Sequence, residues 1–353
     1  MHWVRPLNVT TAFSIAALIS ACGVSMAQST VSPPDNVSKA ILAPDARLMP
    51  IGFTVFEGPA MNTIGDVFFS DLAGNRMYRM SPLGQVSVFR ENSGRANGNA
   101  FDHQGRLLTA EGAEIGPGGG RRIVRTDLTT GKVSIVADRY EGKRFNSPND
   151  LALDSKGRLW FTDAYYGRDR SMLELPDEAV YRIDPVNGDL AGGSVTRVIG
   201  SPQVQRPNGV AVSTDGRTLY VVDSNTVPGG NRKIWSFAIN PDGSVSEQRM
   251  VFDFGKGRGG DGIQLDRDGN LWVAAGIQTG RYDGETGDIA PGIYVISPRG
   301  HQLGLIPTPD DIPNNLAFIG KDRSTLLVTT VKTLYRIPLL VQGRVLPPQT
   351  IQP

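Results

Sequence analysis

Glu57, Asn97, Asn149, Asn208, Asp261 and Asn315 each open a short apolar stretch that breaks at a turn residue eight positions later. In five cases that residue is glycine (Gly65, Gly105, Gly157, Gly216, Gly269), and in the sixth it is Arg323. If the six oxygen-bearing side chains converge, they amount to two carboxylates and four amides without sulfur or imidazole, a donor set suited to a hard cation. Calcium takes about six to eight oxygen ligands in flexible geometry and accepts amide carbonyls beside carboxylates. Magnesium suits the set less, because it keeps several waters in strict octahedral geometry. Two carboxylates confined together repel each other, and a cation resolves that conflict. The competing reading is that Asn and Asp open hairpins because their side chains satisfy backbone groups at turns. It accounts for Asn97 and Asn315 but not for Glu57, a poor turn residue in the same place.

Convergence requires a repeat closed on itself. The intervals between the six positions are 40, 52, 59, 53 and 54 residues, close to the span of a four-stranded propeller blade. A ring of blades carries the same position of every repeat to one axis. Within the units, LALDSKGRLWFTD, VAVSTDGRTLYVVD and IQLDRDGNLWVAA each place two β-rich runs around a glycine turn, so each reads as a hairpin. Such a hairpin returns Asp71, Glu111, Asp163 and Asp223 to the rim from which it started. Asp71, Asp163 and Asp223 are expected to accept backbone N–H groups where strands end, while the role of Glu111, which follows Asn97 in the blade without an obvious ligand, stays open. A further strand pair follows each hairpin, as in AVYRIDPVNGD with SVTRVIG. No stretch after Ser32 has helical periodicity, and 42 glycines with 24 prolines suit a chain of many turns. The expected fold is all-β, a six-bladed β-propeller over residues 51–340 with a central metal site and a C-terminal tail at 341–353.

The 353 residues fit one ring, and 36 basic against 35 acidic residues without a basic cluster give no nucleic-acid footprint. Three histidines and one cysteine do not make a conventional zinc site, and His2 and Cys22 both fall in the leader. Residues 1–27 read as an export signal, with Arg5 ahead of an apolar run from Ala12 to Ala21 that is too short to span a bilayer. Cleavage after Ser25-Met26-Ala27 and a lipoprotein box ending at Cys22 are both open. The expected location is the periplasm, either free or as an outer-membrane lipoprotein held by a lipid anchor. Residues 28–50 read as a tether and lead-in, and a monomer is expected.

The motifs EGP at Glu57, NSPND at Asn146 followed by FTDAYYG, RPNG at Arg206 followed by TLYVVD, and GGDG at Gly259 followed by GNLWVAAG resemble the SMP-30/gluconolactonase/LRE-like family. The likeness runs from about Phe53 to Ile337. It implies a six-bladed propeller with calcium or another divalent ion (zinc, manganese or magnesium) at the channel mouth, and hydrolysis of sugar lactones or related esters. By that resemblance the metal ligands fall on Glu57, Asn149, Asn208 and Asp261. Two segments depart from the family pattern: DAYYG stands where Asp-Pro-Pro-Tyr-Gly is more usual, and GPGGGRR replaces a histidine-containing segment. Both bear on substrate identity.

In lactone opening, water attacks the carbonyl carbon while charge builds on the carbonyl oxygen. Asp261 is the candidate general base, with direct nucleophilic attack and a ligand-only role as alternatives. Asn97, Asn315, Asp150, Arg122 and Tyr165 are the candidate substrate-binding groups. His103 and His301 both sit in turns and are expected to be solvated, which leaves no Ser-His-Asp arrangement, and no G-x-S-x-G is present. The glycine-rich run from Gly116 to Gly120 lacks the partners of a phosphate loop and reads as a loop over the channel mouth. The leading reading is a lactonase of a gluconolactone-like substrate. The alternatives are a phosphotriesterase or aryl-esterase at the same site, and a non-catalytic calcium-stiffened propeller that binds a sugar or a protein.

Overall fold

The strands Val67–Asp71, Leu107–Glu111, Leu159–Asp163 and Leu271–Ala275 are buried on both faces. A strand of this kind must lie inside a stack of sheets. Phe68 packs with Met77, Ala96 and Leu107, whereas its neighbour Phe69 points the other way, toward Phe56, Ile319 and Leu327. Trp160 and Phe161 divide in the same manner between Val210 and Val221 on one side and Leu108 and Ile123 on the other. Successive residues of a strand point to opposite faces, so each sheet feeds two hydrophobic layers. Six such layers are present, one at each contact between neighbouring sheets.

The structure is a computed structural model. It describes residues 55–113, 118–280, 284–308, 312–331 and 333–344, together with the backbone of Arg47–Pro50. Among the described residues there is no helix, and therefore none long and apolar enough to cross a membrane. Six four-stranded antiparallel sheets form the six blades of a β-propeller. Their innermost strands are Phe56–Met61, Ala96–Phe101, Pro148–Leu153, Pro207–Val212, Gly260–Leu265 and Pro313–Ile319. These strands touch in chain order around the ring, the last against the first.

The first five blades are built from consecutive strands, but the sixth takes its outermost strand from Arg47–Pro50, paired with Thr333–Pro338. That closing strand lies in the stretch read from sequence as a lead-in, so the first and last strands of the described ring are joined by a backbone ladder. Residues 342–344, within the expected tail, also return to the ring: Arg344 N donates to Leu265 O at 3.0 Å and Gly343 N to Arg323 O at 2.9 Å. The expected signal and tether up to residue 46, and the tail beyond Arg344, lie outside the described residues.

Every innermost strand carries one extra residue near its start. In the third blade Pro148 pairs with Asp163 but Leu151 with Phe161, and equivalent slips occur in the other five. Such β-bulges bend the strand and re-aim a side chain. They also press neighbouring strands together. A Cβ on Gly209 would lie 2.3 Å from the Asp261 carbonyl oxygen, and one on Gly98 2.6 Å from that of Asn149. Gly209→Ala is therefore expected to cost about 3 kcal/mol, since a backbone oxygen cannot step aside as a flexible side chain does. The readout is a lower urea midpoint at unchanged m-value; an unaltered midpoint would mean that the inner strands have room to spare.

Candidate functional site

The bulges place Glu57, Asn97, Asn149, Asn208 and Asp261 at one level of the ring, each at or beside the slip in register. The sixth position differs from the sequence expectation. Asn315 was aligned by its distance to the turn at Arg323, but the sixth inner hairpin is one residue pair longer than that of the third blade. From the paired rim residues to the turn, its strands run from Pro313 to Ile319 and from Thr325 to Thr330, against Pro148 to Leu153 and Leu159 to Asp163. Counted from the paired rim residues Pro148 and Pro313, Asn314 is the counterpart of Asn149, and Asn315 is that of Asp150. Asn314 also fastens the ring, its Nδ2 donating to Phe56 O at 3.2 Å.

At the next level inward, four blades carry glycine (Gly58, Gly98, Gly209, Gly262) while the opposed third and sixth carry Asp150 and Asn315. These two side chains face each other across the axis, and the Asn315 amide favours the charged form of the Asp150 carboxyl. The glycines make room for them: a Cβ on Gly98 would lie 2.9 Å from Asp150 Oδ1, and one on Gly262 2.2 Å from Asn315 Oδ1. Asp150 Oδ1 accepts from Leu151 N at 3.0 Å and Oδ2 from Val210 N at 3.2 Å. Burial pushes the Asp150 carboxyl up to about 7; the charge of Asp261 adds to the rise, while the backbone donors and Asn315 oppose it.

Glu57, Asn97, Asn149 and Asn208 are buried, and Asp261 is partly exposed, so the cluster opens to solvent on the Asp261 side. Asp261 Oδ2 is paired with Arg258 Nη2, and Arg258 is itself braced by donating from Nη1 to Pro313 O at 2.9 Å. Asn208 Nδ2 donates to the Tyr166 hydroxyl at 3.0 Å, which in turn donates to Ser224 O at 3.1 Å. Burial raises the Tyr166 hydroxyl well above its ordinary value, with the charge of Asp261 adding, so it stays protonated. Thr162 Oγ1 accepts from Asp150 N at 3.0 Å and donates to the Asn208 carbonyl at 2.6 Å, tying the third blade to the fourth.

Two candidates stand apart from this cluster. Arg122 lies on the third strand of the second blade, its Nε donating to Glu111 at 2.6 Å, and Arg90 holds the other oxygen of that carboxylate at 2.5 Å. Tyr165 is buried with the Arg170 guanidinium 6.0 Å from its ring centre, so of the Tyr165-Tyr166 pair it is Tyr166 that reaches a ring residue. Arg258, Tyr166 and Asn314 were not singled out from the sequence. No motif marks Arg258; Tyr166 stands in the DAYYG segment at the tyrosine of Asp-Pro-Pro-Tyr-Gly, but the unusual neighbour Tyr165 drew the assignment; and Asn314 was hidden by the longer hairpin. The rim acids behave as expected: Asp163 accepts from Asn146 N and Ser147 N, Asp223 from Gln205 N and Arg206 N, and Asp71 from Gly74 N. Of the glycine-rich run, Gly116 lies outside the described residues.

Among the described residues no three His, Cys, Asp or Glu form a metal cluster, because half of the proposed ligands are amides. The residues nevertheless fit a hard divalent ion. The donors are all oxygen, two carboxylates meet two amides, and the buried Asn97 Oδ1 lacks any hydrogen-bond partner. A buried acceptor left unmade is costly unless a ligand completes it.

A six-bladed propeller with a ring of buried oxygen donors at one mouth is the class that fold and site define. The SMP-30/Gluconolactonase/LRE-like region matches residues 55–332, and the chain belongs to that family. A gluconolactonase of Zymomonas mobilis subsp. mobilis is 30% identical over 301 residues, covering 80% of this chain and 77% of the relative. The solved structure of a gluconolactonase from Xanthomonas campestris is 33% identical, covers 87% of this chain and 94% of its own, and superposes with a TM-score of 0.69. The calcium-binding protein regucalcin of Agrobacterium tumefaciens shares the fold, at 20% identity and a TM-score of 0.64 over 86% of this chain and 99% of its own.

Thr162→Val keeps the shape of a fully buried side chain but leaves two backbone groups of the ring unpaired. It is expected to lower stability by about 2 kcal/mol or more, read as a fall in the thermal midpoint. An unchanged midpoint would mean that packing alone joins the third and fourth blades.

Proposed function

We propose that the protein is an exported, metal-dependent lactonase acting on a gluconolactone-like sugar lactone, with Glu57, Asn149, Asn208 and Asp261 holding the ion. The observation that carries this reading is the ring of buried oxygen donors, open on the Asp261 side, in a chain of the gluconolactonase family. Calcium is the preferred ion, since amide and carboxylate oxygens on four separate blades form a flexible hard-donor set. A divalent ion in such a ring supplies Lewis-acid stabilisation of a carbonyl oxygen that gains charge.

The chain's own groups supply the rest. Asp261 accepts the proton of the attacking water. Arg258 fixes the rotamer of that carboxylate through Oδ2, so the base is oriented before substrate arrives. Tyr166 orients Asn208 by accepting from its amide N–H₂, which leaves the amide oxygen for the ion. Asn97 Oδ1 is an acceptor for a sugar hydroxyl. The export signal over residues 1–27 supports action outside the cytoplasm, in the periplasm, and the ring is proposed to act as a monomer.

The test is hydrolysis of D-glucono-1,5-lactone before chelation, after it, and after return of calcium, zinc, manganese or magnesium. Activity is expected to vanish with chelation and return with one ion. Asp261→Asn is expected to lower kcat at least about a hundredfold, the usual scale for a lost general base. Activity that survives complete chelation would sink the metal-dependent mechanism. Turnover of a chromogenic phosphotriester or aryl ester in place of the lactone would move the substrate class.

A further inference from the structure

The channel has a second end. Beyond the Asp150–Asn315 pair lies a cavity of about 80 Å³, walled by the later residues of all six innermost strands. One water needs about 10–15 Å³ of such space, so the cavity has room for a polyatomic ion. Its walls are largely apolar, but Asn99, His103, Gln264, Arg323 and Arg344 line it as well, and among the described residues no carboxylate does.

Three features of these groups lack an explanation in the fold. Arg323 holds the turn position that is glycine in the other five blades, and it keeps the left-handed backbone of those glycines, with φ of +56° against +69° to +90°. A side chain at such a position is a cost that something must offset. Arg344 donates from Nη1 to Val212 O at 2.6 Å, yet its Nε is buried without a partner, and so is Nε2 of His103. The turn histidine expected to be solvated is thus half-buried. Finally, two guanidinium groups share one cavity. Burial depresses both, holding Arg344 down to about 10 with the charge of Arg323 adding, and no acid among the described residues compensates.

We propose that this end of the channel is a binding site for a small oxyanion, either a tetrahedral inorganic ion such as phosphate or sulfate or a small carboxylate, held by Arg323 and Arg344 with His103 Nε2 as a further donor. Guanidinium groups match oxyanions by paired, charge-assisted hydrogen bonds. An anion between the two arginines relieves their repulsion and occupies the unpartnered donors. The site is separate from the proposed lactonase centre and does not depend on that reading.

The experiment follows thermal unfolding of the purified protein, stripped of divalent ions and desalted so that the opposite mouth cannot recruit anions. Sodium phosphate, sulfate and acetate are titrated at constant ionic strength against chloride. The midpoint is expected to rise with the bound anion and then grow only logarithmically, as linkage to one site requires. Arg323→Gly, which restores the residue of the other five blades, and Arg344→Gln are expected to abolish the rise. Arg323→Gly should be at least as stable as the parent without anion, so that its loss of response is not a failure to fold. A response to phosphate and sulfate alone identifies a tetrahedral ion, and an equal response to acetate extends the site to carboxylates. The proposal is overturned if no anion moves the midpoint, or if parent and variants respond alike, which is the behaviour of salts excluded from the whole surface.

Discussion

The approach of six strands to one axis is the constraint on which the rest of this molecule rests. Neighbouring inner strands meet so closely that a methyl group on Gly58, Gly98 or Gly209 would overlap a carbonyl oxygen of the next blade. One extra residue per strand turns the polar side chains away from the ladder and toward the axis. The hydrophobic layers between blades set the spacing that makes this approach necessary, and the ladder from Arg47–Pro50 holds the ring shut.

Much of this was legible in the sequence because a ring repeats its solutions. The eight-residue step from polar opener to glycine turn recurs, and in five blades the turn residue is glycine with positive φ, as a tight hairpin demands. The roles of Asp71, Asp163 and Asp223 as backbone acceptors were legible for the same reason: each faces the start of its own hairpin. What sequence spacing could not carry was a change of hairpin length. The sixth inner strand is longer by one pair, so counting back from Arg323 lands on Asn315, while the register puts Asn314 on the ring.

Side-chain direction was the other blind spot. Tyr165 and Tyr166 are adjacent and chemically identical, yet the first lies against the Arg170 guanidinium while the second reaches Asn208. Arg122 looks available until its strand is seen to be the third from the axis and its guanidinium shared with Glu111. Arg258 gave no signal at all, since an arginine three residues before an acid is commonplace. Its braced contact with Asp261 and Pro313 exists only because the fifth and sixth blades adjoin.

The Asp150 and Asn315 side chains have a consequence for the whole particle. They stand on diametrically opposite blades and face each other across the axis, in the space that Gly98 and Gly262 leave free. The bore therefore carries polar side chains midway along its length, with the carboxylates of Glu57 and Asp261 toward one end and the guanidinium groups of Arg323 and Arg344 toward the other. The two ends of one ring thus differ in the sign of their charge.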